Sequence, residues 1–303
     1  MCGIVGLYSK APGVGEQLGA HLSRMLVEMG SRGPDSAGVA IYRDPVDAGF
    51  AKLSLHAPGE ETVDWDGVEA TLAARFGSAR TRLAGPRHAC VTVSAEAGEL
   101  QRWAAAAFPS LRTMSAGSAI EIIKEAVAPA EFARRFALDE LRGSHALGHT
   151  RMATESRVTT EGSHPFSTGA DLCLVHNGSL SNHNRLRRVL RREGIAFQTE
   201  NDSEVAAGYL SWRMREGATL EQALEGCLDD LDGFYTFAVG TVDGFAVLRD
   251  PIACKPAVMA ETDDWVAMAS EYRALALLPG AEDATVWEPE PGRVYSWGKE
   301  LVA

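Results

Sequence analysis

Residues 1–9, MCGIVGLYS, decide the fold, because they place a cysteine at position 2 directly before an apolar stretch. Ile4–Tyr8 predicts a strand, and one interpretation is that this strand merely follows a cysteine. In the other, removal of Met1 leaves Cys2 with a thiol and a free α-amine on one residue. An α-amine has an ordinary pKa of about 7.7–8.0 and can activate such a nucleophile as a base. The stretch alone does not decide between the two interpretations.

Composition restricts the class of protein. The chain has 303 residues, enough for one large domain or two small ones, and is 46% hydrophobic and 23% charged, as in ordinary soluble globular proteins. Its net charge of −12 argues against a nucleic-acid partner, because surfaces that bind phosphate are basic. One local basic run is interpreted as a solvated helix face or a docking patch; its arginines are at positions 185, 187, 188, 191 and 192.

The five cysteines are widely spaced and form no C-x-x-C pair, which argues against a disulfide framework and against zinc or iron–sulfur sites. This number and spacing of cysteines is typical of a protein in a reducing compartment. The pattern of residues leads us to expect no signal peptide, and no apolar run approaches the roughly 18 residues of a membrane span. His145 and His149 are spaced as in a helical zinc pair, but Gly143 and Gly148 interrupt such a helix. We therefore expect a cytoplasmic protein, with no membrane association, no metal and no cofactor on this chain.

The first half of the chain mixes clear and unclear patterns. Apolar spacing predicts a helix over Gly15–Met29, and Gly38–Tyr42 predicts a strand. HACVTVSAE, from residue 88, predicts another strand, and residues 120–141 predict a helix interrupted near Pro129. No linker composition brackets residues 45–143. We interpret them as an elaboration within a single domain that spans residues 1–303.

From residue 145 onward, strand and turn signals alternate with helices. One hairpin is predicted around Val242–Gly244, and Asn177-Gly178 has the composition of a tight hairpin turn. Helices are predicted over Asn184–Arg192, from the NDSE segment at 201–204, and after Thr219. Blocks of strands separated by paired helices indicate an α+β fold with helices outside antiparallel sheets.

Four short motifs carry chemistry: HTRMATES (149–156), SHPF (163–166), VHNGSL (175–180) and TENDSE (199–204). Each has an ordinary structural explanation, such as a hairpin turn at Asn177-Gly178 or a helix cap at Asn201. Together with Cys2 they supply a thiol, an amide beside a glycine N–H, a cation and a carboxylate. These groups suffice to hold a free amino acid and attack its side-chain carbonyl.

The ordered set MCGIVG, SRGPDSAG, HTRMAT, SHPF, VHNG and NDSE resembles that of the class II glutamine amidotransferases, the N-terminal-nucleophile type. The resemblance covers nearly the whole chain except residues 45–140. It implies a four-layer αββα sandwich with an inserted elaboration, and places Cys2 at the end of an inner strand. Glutamine is the implied substrate.

The resemblance also implies residue roles. Cys2 would attack the glutamine δ-carbonyl and expel ammonia, and the thioester would then be hydrolysed, with the Cys2 α-amine as base. The Asn177 side chain and the Gly178 N–H would form the oxyanion hole. Four residues would bind substrate: Arg151 at the α-carboxylate, Asp202 at the α-ammonium, and Thr154 and His164 along the pocket wall. Arg32 would support the site without touching substrate.

Two residues beside Arg151 depart from the pattern, because some relatives have Trp in place of Met152 and His in place of Glu155. Both flank the loop that closes over glutamine in the family. The departures bear on how that loop closes and leave the nucleophile assignment intact.

The residues of these motifs are most similar to those of the stand-alone glutaminase subunit of multi-subunit, glutamate-synthase-like enzymes, including N-methylglutamate synthase. The resemblance implies that ammonia passes to a separate synthase subunit and that flavin and iron–sulfur centres lie on partner chains; the chain's end at Ala303 leads to the same expectation. Two alternatives remain: a free-standing glutaminase or other amide hydrolase, and a non-catalytic glutamine-binding regulatory subunit. Retention of Cys2 with Asn177-Gly178 argues against the last. The acceptor, the stoichiometry and the role of residues 45–143 stay open.

Overall fold

The computed structural model describes residues 2–59, 62–152 and 158–298. Its strands are β1 (Gly3–Ser9), β2 (Ser36–Tyr42), β3 (Ala51–His56), β4 (Ala79–Gly85), β5 (His88–Val93), β6 (Arg112–Gly117), β7 (Ile120–Glu125), β8 (His145–Arg151), β9 (Cys173–Leu180), β10 (Gly233–Gly240), β11 (Gly244–Arg249), β12 (Val258–Glu261), β13 (Trp265–Ala269), β14 (Thr285–Trp287) and β15 (Val294–Gly298). Its α-helices are α1 (Pro12–Glu16), α2 (Leu18–Glu28), α3 (Trp65–Phe76), α4 (Ala97–Ala107), α5 (Pro129–Arg135), α6 (His183–Arg192), α7 (Asp202–Arg215), α8 (Leu220–Asp230) and α9 (Tyr272–Leu275).

Two antiparallel sheets form the inner layers. The first has seven strands in the order β14-β12-β13-β1-β8-β2-β7, and the second has four in the order β15-β11-β10-β9. Apolar side chains from both sheets make one buried cluster, which includes Ile4, Leu147, Val175, Phe245 and Met268. Because β1 lies between β13 and β8, the chain's first strand is central in the larger sheet.

Helices cover the outer faces of both sheets. The apolar residues of the 15–29 segment are buried against the seven-stranded sheet, where α2 packs Leu22 and Met25 onto Val5 and Val39. On the other side, α7 and α8 pack onto the four-stranded sheet β15-β11-β10-β9 around Phe237. Burial of one apolar stripe per helix explains the observed spacing. The result is the expected four-layer αββα sandwich, with the 15–29 helix divided into α1 and α2.

A third sheet lies outside this sandwich. Its strands have the order β4-β5-β3-β6, and α3 and α4 pack on it around a separate apolar core that includes Leu53, Leu72, Val91 and Leu100. We call residues 51–117, which contain these elements, the inserted sheet. The chain then returns through β7, which pairs with β2 in the seven-stranded sheet. The boundaries 45–143 and the single-domain assignment stay predictions.

Two predictions of local structure are wrong. The 120–141 segment begins as strand β7, and helix α5 starts only at Pro129. Its isoleucines favour a strand, and pairing with β2 outweighs the helix preference of its Glu and Lys residues. Asn177-Gly178 is no hairpin turn, because both residues lie inside β9, where Gly178 stands opposite Tyr235 of β10. The hairpin around Val242–Gly244 is confirmed by the antiparallel pairing of β10 with β11.

Three later elements match their sequence signals. Helix α6 covers the predicted Asn184–Arg192, α7 begins with Asn201 as its cap, and α8 follows a complete capping box between Thr219 and Gln222. No helix in the described parts of the chain has both the length and the apolar character that crossing a membrane requires.

Candidate active site

An open cleft of about 780 Å³ lies where β1 and α7 begin and β8 ends. This volume falls within the range usual for small-molecule sites. Five of the residues singled out from sequence line the cleft: Cys2, Arg151, His164, Gly178 and Asp202. They come from segments far apart in sequence, and the sandwich brings them together.

Cys2 immediately precedes β1, so the central position of that strand fixes its backbone. The Cys2 carbonyl accepts hydrogen bonds from Arg32 Nε at 2.9 Å and from Asn177 Nδ2 at 3.2 Å. The Cys2 Sγ lies 4.0 Å from the Met152 carbonyl oxygen, at the wall of the cleft. The thiol therefore faces the cleft while the backbone is held from behind.

Arg32 connects this backbone to the end of β13. Its guanidinium pairs with Glu271 at 2.5 Å, and the hydrogen bond from Arg32 lowers the pKa of the Glu271 carboxyl. The Arg32 side chain is 9% exposed. Arg32 contacts the proposed nucleophile through its hydrogen bond to the Cys2 carbonyl.

The Asn177 amide is held by three contacts. Its Nδ2 donates to the Cys2 carbonyl and to Ser270 Oγ at 3.1 Å, and its Oδ1 accepts from His149 Nε2 at 3.1 Å. His149 Nε2 also lies 3.2 Å from the His176 carbonyl oxygen. Because both of its neighbours are oxygen acceptors, this nitrogen carries the proton. The contacts orient the amide so that its NH₂ group points toward Cys2.

Gly178 follows with a backbone that requires glycine. Its φ is +152°, and a Cβ there would lie 2.0 Å from the Phe234 carbonyl oxygen and 2.8 Å from Tyr235 Cα. Any side chain would therefore disrupt the pairing of β9 with β10. The glycine is needed for strand geometry beside Asn177, and this is why an Asn-Gly pair occurs here without a turn.

Asp202 is the first residue of α7. Its Oδ2 accepts from the Leu180 N–H at 2.9 Å, which ties the start of the helix to the end of β9. Asn201 caps the helix by accepting from the Ser203 N–H at 2.9 Å. The predicted helix cap and the predicted cleft carboxylate are thus neighbouring residues of one helix start.

Arg187 stabilises the segment that leads into α7. It donates to the Thr199 and Asn201 carbonyls at 2.7 and 3.0 Å and pairs with Glu200 at 2.6 Å. Its side chain is buried, so it belongs to the cleft's support, and the interpretation of the whole basic run as surface is wrong for this residue. The other members are exposed: Arg185, Arg188, Arg191 and Arg192.

Three buried histidines lie at the cleft wall: His164 and His176 line it, and His149 packs against His164. Ser203 Oγ lies 2.8 Å from His164 Nε2 and 2.9 Å from His176 Nδ1, and the His149 and His164 rings lie 4.0 Å apart. Burial lowers the pKa of His149 to about 3 and that of His176 to about 4. Burial likewise holds the pKa of His164 well below its usual value. All three are neutral near pH 7.

Arg151 ends β8 and donates to the Gly162 carbonyl at 3.4 Å. The loop that carries Gly162 is held by the buried Lys124 ammonium, which donates to the Glu161, Ser163 and Pro165 carbonyls. Thr154 and Glu155 lie outside the described residues. Met152, the other departure from the family pattern, is exposed at the cleft wall.

Sequence reasoning missed the supporting layer of the site. His149, Ser203 and Ser270 have no distinguishing spacing, because their partners are chosen by the packing of the two sheets. His149 does stand in the HTRMAT motif, next but one to Arg151, and Ser203 stands in the NDSE motif, so motif membership was an available signal for both. Together, the cleft offers a thiol, a guanidinium and a carboxylate, and an oriented amide donor contacts the Cys2 backbone beside it.

Comparison with known proteins agrees with this chemistry. Residues 149–277 match a family described as the glutamine amidotransferase domain. The chain is 54% identical over 303 residues to the glutamine amidotransferase-like protein GlxB of Rhizobium meliloti, covering 100% of both chains. It is 32% identical over 306 residues to a candidate glutamine amidotransferase of Methanothermobacter thermautotrophicus, covering 97% of this chain and 99% of the other.

One solved structure with the same fold is a glutamine phosphoribosylpyrophosphate amidotransferase of B. subtilis complexed with ADP and GMP. The TM-score is 0.62 at 21% sequence identity, over 99% of this chain and 48% of that one. The chain thus spans about half the length of that enzyme. The structural likeness shows a shared N-terminal-nucleophile fold. The 54% identity to GlxB, over the full length of both chains, shows the family. The chain belongs to the class II glutamine amidotransferases, enzymes of glutamine amide hydrolysis and transfer.

Proposed function

We propose that this chain is a glutaminase subunit that forms a glutamyl thioester on Cys2 and passes ammonia to a separate synthase subunit of glutamate-synthase type. The observation that carries the catalytic part is the Asn177 amide, which donates to the Cys2 carbonyl beside the cleft that Cys2, Arg151 and Asp202 line. The proposed nucleophile and both proposed charge partners for an amino acid thus line one cleft, and the proposed oxyanion donor contacts the backbone of the nucleophile.

Glutamine binding follows from the two charged residues. The Arg151 guanidinium would pair with the substrate α-carboxylate, since its fork of N–H groups matches two carboxylate oxygens. The Asp202 carboxylate would accept from the α-ammonium. With both ends of the amino acid fixed, the side-chain amide reaches the Cys2 end of the cleft. His164 supports the same wall through Ser203.

Removal of Met1 would give Cys2 its α-amine. That amine takes the thiol proton, directly or through water, as sulfur attacks the glutamine δ-carbon. The negative oxygen of the tetrahedral intermediate is stabilised by Asn177 Nδ2 and the Gly178 N–H. Collapse breaks the C–N bond, ammonia leaves with the proton, and a thioester remains. Water then attacks the thioester and releases glutamate and the Cys2 thiol.

Substrate must displace one existing contact for this to happen. Both Nδ2 hydrogens of Asn177 are directed to oxygens, those of Cys2 and Ser270. The oxyanion would replace one of them, and the Cys2 carbonyl retains its hydrogen bond from Arg32. Catalytic hydrogen bonds commonly tighten only once substrate is bound.

The transfer of ammonia rests on the motif resemblance to stand-alone glutaminase subunits. In this proposal flavin and iron–sulfur centres belong to partner chains, where the acceptor is reduced. A free-standing glutaminase, another amide hydrolase of the same fold, and a non-catalytic regulatory subunit are the competing functions. The regulatory function would leave the Cys2–Asn177 arrangement without a purpose.

Purification from the native host followed by glutaminase kinetics tests the proposal. We expect the chain to co-purify with oxidoreductase-type subunits, and its kcat/KM for glutamine to rise when these and the acceptor are present. A lid or loop held closed by the partner would produce this effect. Equal kcat/KM values with and without the co-purified subunits would favour the free-standing glutaminase. Glutamine binding without ammonia release would favour the regulatory function.

A further inference from the structure

A second cluster of ionisable side chains lies where the inserted sheet meets the seven-stranded sheet. His56 ends β3, His88 begins β5 and Glu125 ends β7. Within the described parts of the chain, each of the three offers a ligand atom, and these atoms lie within 4.8 Å of one another. The two imidazole rings are 4.6 Å apart. The cluster is separate from the cleft that contains Cys2.

The hydrogen bond of His88 determines which of its ring nitrogens can bind an ion. His88 Nε2 lies 3.0 Å from the Lys124 carbonyl oxygen, so the proton of the neutral ring is on Nε2. The lone pair of His88 is therefore on Nδ1, 4.0 Å from Glu125 Oε2. Metal-ligating histidines commonly donate their other N–H to a backbone carbonyl in this way.

His56 has an unexplained buried atom. Its Nδ1 makes no hydrogen bond, although the side chain is only 5% exposed. The Glu161 carboxylate lies 3.7 Å from it, beyond hydrogen-bond distance. Buried polar atoms in folded proteins usually have a partner, so this nitrogen is available to a ligand placed between the side chains.

The third ligand is held in place. Glu125 accepts a hydrogen bond from Thr160 Oγ1 at 2.6 Å, which leaves its other oxygen facing His88. Two imidazoles with one carboxylate form a donor set that zinc uses, with a fourth position left open. Imidazole also suits iron, nickel and copper, so the donor set selects a class of ion.

We propose that His56, His88 and Glu125 bind a divalent transition-metal ion, for which Zn²⁺ is the appropriate probe. Ligand atoms about 2.1 Å from a tetrahedral ion lie about 3.4 Å apart, so the side chains must move inward by about 1 Å on binding. The ion would connect three strands, β3, β5 and β7, and so fasten the inserted sheet to the sandwich. It would lie beside Glu161, which also lines the active-site cleft.

Nearby cations limit the affinity. The positive charge of Arg87 acts on both His56 and His88, and that of Lys124 acts on His56. Arg135 lies 4.0 Å from Glu125. The Glu125 and Glu161 carboxylates offset part of this positive charge. We therefore expect weaker binding than at a closed structural zinc site with four protein ligands.

Equilibrium dialysis of the chelator-treated, full-length protein against Zn²⁺, with metal quantified by mass spectrometry, tests the proposal. Three variants are compared with the wild type: His56→Gln, Glu125→Gln and His21→Gln. His21 is the matched control, because it is a buried histidine whose Nδ1 also lacks a partner, on helix α2 outside the cluster. We expect His56→Gln and Glu125→Gln each to bind one equivalent of Zn²⁺ less than the wild type does. His21→Gln should bind as much Zn²⁺ as the wild type.

Co²⁺ spectroscopy of the wild type keeps the test decisive if a variant fails to fold. Three nitrogen and oxygen ligands predict visible Co²⁺ absorption without the strong near-ultraviolet band that thiolates from Cys2 or Cys254 would add. Equal Zn²⁺ stoichiometry in all four proteins, no binding to the wild type, or a thiolate-type Co²⁺ spectrum alone would overturn the proposal.

Discussion

Two groups of buried histidines in this molecule differ in what surrounds them. The cleft group, His149, His164 and His176, bonds to Asn177, Ser203 and a backbone carbonyl. In the junction pair, His88 bonds to a backbone carbonyl, and the buried Nδ1 of His56 has no hydrogen-bond partner within the described structure. Burial lowers histidine pKa values in both groups. Burial thus keeps the histidines of both groups neutral, and the neighbouring groups determine what each histidine can do.

The difference separates two functions. Within the cleft group, His149 orients the Asn177 amide, which contacts Cys2, so its loss should affect catalysis. The junction pair faces carboxylates at the border of the inserted sheet, so its loss should affect metal content and leave glutamine hydrolysis unchanged. The predictions below test this separation.

The largest effect is expected at Asn177, whose side-chain amide His149 orients. Asn177→Ala should lower kcat about 10²–10³-fold, because an oxyanion donor acts chiefly in the transition state. Arg151→Lys and Asp202→Asn should mainly raise KM, since the charges they bind do not change during reaction. Steady-state glutamine hydrolysis measures both. If Asn177→Ala raised KM alone, the VHNGSL motif would have only a structural role, as part of a strand.

A smaller effect is expected at His149, a positioning residue. His149→Leu removes the donor to Asn177 Oδ1, and loss of a buried hydrogen bond worth about 1–3 kcal/mol predicts a kcat about 10–100-fold lower with little change in KM. His149→Gln, which retains an N–H donor, should recover part of the activity.

His56→Leu is the matched substitution in the junction pair and should leave kcat unchanged. Equal losses of kcat in His149→Leu and His56→Leu would contradict the separation of the two groups, and unchanged kcat in both would remove His149 from the catalytic account.

The smallest effect concerns stability in acid. The folded-state pKa values of His149, His176 and His56 lie near 3 to 4, below the value of about 6.5 in an unfolded chain. Below that value the unfolded state binds more protons, so the free energy of unfolding falls as pH decreases from about 6.5 toward about 4. Each histidine contributes at most about 1.4 kcal/mol per pH unit.

Urea denaturation at about pH 7 and about pH 5 measures this slope. His149→Gln and His56→Gln should each reduce it by a similar amount, because each removes one histidine that must stay neutral. A slope unchanged in both variants would show that these histidines are not the groups responsible.

Local patterns predicted the α+β class, and the resemblance of the ordered motif set implied the sandwich and five of the residues that line the cleft. The apolar spacing of Leu22 and Met25, and the motifs at Cys2, Arg151 and Asp202, are readable without a partner. Strand β7 was mispredicted because Glu121 and Lys124 are buried in it, and partners distant in sequence satisfy their charges: Lys52 of the inserted sheet pairs with Glu121, and the 161–165 loop accepts from Lys124.

The supporting contacts were not predictable for a related reason. Ser270 meets Asn177, and His56 meets His88, only because strands distant in sequence lie side by side in space. The metal expectation shows the same limit: it considered His145 and His149, four residues apart in sequence, whereas the candidate ligands come from three separate strands.

The central claim is that Cys2 is an N-terminal nucleophile. Labelling of the active protein with a glutamine-mimicking diazoketone, followed by intact-mass and peptide mass spectrometry, tests it most directly. We predict one label on Cys2, Met1 absent, activity lost in proportion to labelling, and no label on Cys90, Cys173, Cys227 or the exposed Cys254. Full activity with Met1 retained, or inactivation by labelling at another cysteine with Cys2 untouched, would contradict the account.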